Sequence, residues 1–174
     1  MAVINFEYFP DVLDNMVDNV RKKYSGTVGL PSGTTPYFQF GTYLELIAAM
    51  TIADKNQSGK YPLVWLVWDS EENKQNWVHS QLYKTDIRVF IVCKRGQDLT
   101  PDYVKENFMK PVLYPIWNLL RDEIFYHENI ESTIVNQHVL REHTFWGQEY
   151  QSKIFDTLSA IEVKYNQLNV MKTW

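Results

Sequence analysis

The chain has 174 residues, 45% hydrophobic and 15% aromatic, with 17 basic against 21 acidic side chains for a net charge of −4. That length fits one domain able to bury about 70% of its unfolded surface. The basic surplus that phosphate neutralisation asks of a nucleic-acid binder is missing, and a lone cysteine, Cys93, excludes an internal disulfide.

The opening MAVINFEYFPD has neither the basic start nor the apolar run of a signal peptide. No apolar segment approaches the roughly 20 residues that cross a bilayer. Residues 1–9 read as an aromatic arm carrying Phe6, Tyr8 and Phe9 ahead of Pro10. Pro10 and Asp11 then start a helix, because Leu13, Met16, Val17, Val20 and Tyr24 recur at helical spacing. Arg21, Lys22 and Lys23 fall in its last turn, where cations complement the helix dipole. Residues 25–36, SGTVGLPSGTTP, are loop by composition and match no phosphate-cradling glycine motif. A short extended piece at Tyr37 to Phe40 precedes a helix over Gly41 to Asp54, whose apolar stripe is wide enough to predict burial on most of its circumference.

The stretch Tyr61 to Asp69, YPLVWLVWD, is a strand apolar on both faces, so it asks for cover on both. Its partner is Asp86 to Lys94, DIRVFIVCK, with Ile87, Val89, Ile91 and Cys93 on one face. Cys93 reads there as a buried, inert thiol, consistent with folding in a cytoplasm. Between the strands lies an excursion over 70–85, too long for a tight hairpin and too polar for core, yet carrying Trp77 and Tyr83. Thr100, Pro101 and Asp102 open a further helix that Pro111 should end or kink, followed by another to about Phe125 with Leu113, Ile116, Trp117, Leu120 and Ile124 on one stripe. Ile134 to Leu140 and Asp156 to Asn166 have strand character, with a turn or bulge at Phe145, Trp146 and Gly147 and a short tail over 167–174 ending in Trp174. The prediction is a single α+β domain over 1–174, with an antiparallel or mixed sheet of four to five strands and amphipathic helices mainly on one face.

Candidate chemistry is sparse. His138 and His143 are five apart, a spacing that does not bring two rings to one ion, and no second cysteine helps. No nucleophile elbow surrounds any serine. Glu45, Asp69, Asp86 and Arg88 loosely echo a magnesium-dependent restriction-type nuclease, with Asp69 and Asp86 as the metal-binding acids. The lysine such a site needs is replaced by Arg88, which cannot readily give up a proton. Asp69 and Asp86 otherwise read as turn residues flanking the excursion. No cofactor, metal or catalytic residue is expected.

The order of elements resembles a tailed-phage neck or tail-terminator (tail-completion, head–tail connector) protein. The resemblance is carried by the amphipathic helix near the start, GTYLELI at 41–47 and YPLVWLV at 61–67. It continues through the excursion, DIRVFIV at 86–92, YVKENFMKPVLYPIWNLL at 103–120 and LSAIEVKY at 158–165. It implies a non-enzymatic virion protein, made in a host bacterial cytoplasm, whose copies close into a six- or twelve-fold ring. Such a ring would stack on portal and tail proteins, with DNA only as passing cargo and no membrane contact. Closed rings use two different patches per copy, and surplus aromatic residues suit them. The candidate contact residues are Phe6, Tyr8, Phe9, Trp77, Tyr83 and Trp174. A monomeric protein-binding adaptor is the third possibility.

Overall fold

In the computed structural model, residues 9–24, 35–52, 61–68, 73–77, 80–95, 99–127, 130, 138–146 and 158–171 are described. The two aliphatic runs lie side by side in a mixed sheet, and the chain is α+β as expected. The strands are β1 (Tyr37–Gly41), β2 (Leu63–Val67), β3 (Asn73–Trp77), β4 (Ser80–Lys94), β5 (His138–Trp146) and β6 (Leu158–Met171). Five of them run in the order β1-β2-β4-β6-β5, and β3 joins the near half of β4. Only β1 and β2 are parallel. They are joined through α2 (Tyr43–Ile52), the helical crossover that a parallel pair requires.

Alternation along the strands sorts the side chains into two layers. Val64 and Leu66 of β2 join Ile87, Val89, Ile91 and Cys93 of β4 and Ile161, Val163 and Tyr165 of β6 in the main core. Leu63, Trp65 and Val67 face the other way with Phe90, Val92, Leu158 and Ala160. The main core is roofed by α1 (Phe9–Tyr24) and α4 (Tyr114–Tyr126), whose predicted stripes are buried in full. These two helices are tied at the surface, where the Asn19 amide and the Lys23 ammonium both donate to Glu123. Burial alone would raise the Glu123 carboxyl, but those two donors hold it below the ordinary range.

The helix over 41–54 departs from expectation. Over residues 43–50 of α2 only Leu46 and Met50 are buried, while Leu44 stays 76% exposed. This helix lies by itself on its face of the sheet among the described elements, so its broad apolar girth has one partner surface instead of two. Pro111 neither ends nor breaks its helix. α3 (Pro101–Val104), capped by the Thr100 side chain, passes into π-helical turns over Lys105–Leu113 and then into α4. The Tyr114 amide donates to the Met109 carbonyl five residues back, the wider spacing that accommodates a residue without an N–H.

The excursion also differs. Residues 73–77 pair antiparallel with 80–84, from Asn73 opposite Lys84 to Trp77 opposite Ser80, so much of it is a β-hairpin. β4 therefore starts six residues earlier than its apolar run. The far half of β6 pairs with the same stretch, from Leu82 opposite Met171 to Thr85 opposite Leu168. Residues 167–171 are thus strand, and β3, β4 and β6 form a three-stranded extension of the sheet. The pairing of β4 with β6 shifts register between Thr85 and Ile87. A second shift, between His143 and Trp146 of β5, sits at the bulge expected near Phe145.

Candidate subunit interface

One end of the sheet is built by the passage from β1 into α2. Thr42 and Glu45 form a reciprocal cap. The Thr42 amide donates to Glu45 Oε2 at 2.7 Å, and the Glu45 amide donates to Thr42 Oγ1 at 3.2 Å. Thr-x-x-Glu is the sequence signal for this arrangement, and it holds the Glu45 carboxyl below its usual range. The cap closes against Gly41, at φ 157°, where an added Cβ would stand 2.7 Å from Glu45 Oε2. Gly41 also accepts from the Trp68 amide at 3.0 Å. The chain so fixed leaves Tyr37, Phe40 and Leu44 exposed within eight residues. Among the described residues they account for half of the six exposed large hydrophobic side chains, Tyr103, Tyr126 and Val139 being the others. Beside them a cleft of about 300 Å³ opens between the start of α1 and β1, lined by Asp11, Asp14, Phe38 and Phe40 among others.

The other end is polar. On β5, His138, Leu140 and Glu142 face the helices: His138 lies edge-on to Trp117 at 5.2 Å, and the Tyr114 hydroxyl donates to Glu142. His143 faces the opposite side, so the two histidines are separated by the sheet. Its Nε2 is 2.9 Å from Glu162 Oε2, while Arg88 Nε is 3.3 Å from Glu162 Oε1. Glu162 alternates with the core residues Ile161 and Val163 of β6, yet its carboxylate is largely covered and held between those two partners. A carboxylate at this depth needs such partners to offset its lost hydration.

The nuclease quartet is only partly brought together. Glu45 is engaged by Thr42, and Arg88 by Glu162. Asp69 lies outside the described residues, and Asp86 sits at the register shift of β4. Among the described residues no three His, Cys, Asp or Glu side chains gather to hold a metal ion. Cys93 is buried, and burial pushes its thiol up to about 12, only partly opposed by the Arg95 charge and a hydrogen bond from Ser159. A thiol reagent at pH 8 is therefore expected to leave the folded protein unlabelled and to react fully in denaturant. Rapid labelling of the native protein would contradict that placement.

Of the six predicted contact residues, Phe6, Tyr8 and Trp174 lie outside the described residues. Phe9 is a correction. It is the first residue of α1, only 6% exposed, and stacks on Trp68 at 5.7 Å within the chain, so its ring is spent on the core. Trp77 and Tyr83 lie on the three-stranded extension: Trp77 pairs with Ser80, and Tyr83 with Lys74 and Val170. Sequence reasoning missed Tyr37, Phe40 and Leu44, which it placed in a short strand and a buried helix. No family model and no curated protein matches the sequence.

Proposed function

We propose that the chain is a structural ring subunit of the neck or tail of a tailed bacteriophage, joining portal and tail and lining the passage for DNA. The observation that supports this reading best is the concentration of exposed apolar side chains at the β1 end of the sheet, with Leu44 76% and Phe40 45% exposed. Apolar side chains left exposed along a sheet edge are what a subunit contact covers. Trp77 and Tyr83 stand at strand positions in the extension formed by β3, β4 and β6, and they are the proposed contacts to a neighbouring or stacked ring. The net charge of −4 fits a lumen through which DNA slides without being gripped. The work of such a protein is mechanical and asks for no cofactor.

Native mass spectrometry and sedimentation over a wide concentration range test the reading. The expected result is a closed oligomer of six or twelve copies, formed alone or when portal and tail proteins are added. A single copy persisting at high concentration, and in their presence too, would overturn it.

A further inference from the structure

The two ends of the sheet carry complementary surfaces at one height, and we infer that they are the two halves of the contact between successive copies of this chain. The inference rests on the ring reading above and says which residues make the ring. Two rows of paired residues cross the sheet from β1 to β5. One runs Gly41, Val67, Arg88, Lys164, Val139, and the next runs Gln39, Trp65, Phe90, Glu162, Arg141. Each crosses four strand spacings, roughly 19 Å at about 4.8 Å per spacing.

At the β1 end of these rows lies the cleft of about 300 Å³ with Phe38 and Phe40 in its wall and the carboxylates of Asp11 and Asp14 at its rim. Both acids are exposed, and neither forms an ion pair with any other described residue. An aromatic wall with two carboxylates fits a cation on a long apolar stem, above all a guanidinium. At the β5 end the same rows present Val139, 47% exposed, beside the exposed Arg141 and the half-exposed Lys164. Neither cation forms an ion pair with a described residue. Glu162, the cross-strand neighbour of Arg141, is already shared by Arg88 and His143. Acids without a partner among the described residues stand at one end, and bases without one among them at the other.

The occupant of the cleft is thus a second copy, through Arg141 with Lys164 beside it and Val139 against the aromatic edge. The cleft lies on the side of the sheet that α1 covers, whereas Val139 and Arg141 point to the opposite side. Successive copies therefore overlap like roof tiles instead of meeting edge to edge. Gln39 in the cleft lining and Arg141 in the other patch share one row, so the contact joins residues at about one level along the strands. A head-to-tail contact closes into a ring where the rotation between successive copies closes, and winds into a filament where it does not.

Charge reversal tests this. Arg141→Glu alone, and Asp11→Lys with Asp14→Lys, are each expected to weaken assembly about a hundredfold or more, since like charges then face each other at every contact. Mixing the two variants in equal amounts is expected to restore the ring with the two kinds alternating, seen by mass. Circular dichroism and melting of each variant check that it folds. Should Arg141→Glu fail to fold beside Glu162, Arg141→Gln combined with Lys164→Gln is read for the same loss. Rings in both variants alone, or no rescue on mixing folded variants, would overturn this contact and leave the ring reading standing. A wild-type chain that never assembles overturns both.

Discussion

Replacing Trp117 with alanine is expected to destabilise the fold by about 3–5 kcal/mol, read as a drop in the urea or thermal midpoint. Trp117 is 3% exposed in the main core, edge-on to His138 at 5.2 Å and tilted against Tyr165 at 6.4 Å. It is the side chain of α4 that touches both β5 and β6, the last two strands in the order of the sheet. Its loss leaves a cavity that neither the strand pairing nor the paired β5–β6 backbone can collapse into. Domains of this size have about 5–15 kcal/mol in total, so a large part of the margin goes. A cost below about 1 kcal/mol would mean that α4 does not seat on those strands.

Phe90→Ala is expected to cost a similar 3–5 kcal/mol, but with a local signature. Phe90 is 2% exposed in the second layer and its ring lies 5.9 Å from Tyr43 of α2. Over residues 43–50 of that helix only Leu46 and Met50 are buried beside it, so α2 has a shallow footing. Its amides should lose hydrogen-exchange protection well before those of α1 and α4. Under the ring reading, assembly should fall with it, since Leu44 is displaced from the β1 end. Uniform loss of protection across all three helices would show that the two layers unfold as one.

The layers themselves were legible because side-chain period two is a geometric constant of the strand. YPLVWLVWD and DIRVFIVCK therefore declared which residues share a face, and α1 and α4 declared their stripes by spacing. What was not legible depends on neighbours. The apolar girth of α2 says that the helix has grease on several sides, not that anything lies above it. The polar runs NKQNW and SQLYKT have little intrinsic strand signal and become strands by pairing with each other and with QLNVM of β6. Pro111 marked a disturbance correctly, but whether the helix stops or widens its turn depends on packing by Met109, Val112 and Leu113. The candidate contact was hidden for the same reason. Asp11 and Asp14 read as acids of a first helical turn and Arg141 as one polar strand residue, and only the register of five strands sets them level.

β4 and β6 run without interruption from beneath the helices into the three-stranded extension, and they slip by one pairing between Thr85 and Ile87. A ribbon hydrogen-bonded along its length resists bending wherever the pairing is regular. The slip is the one soft joint along that path. A load on residues 80–85 would thus be taken up first as a tilt of the two strands about this joint.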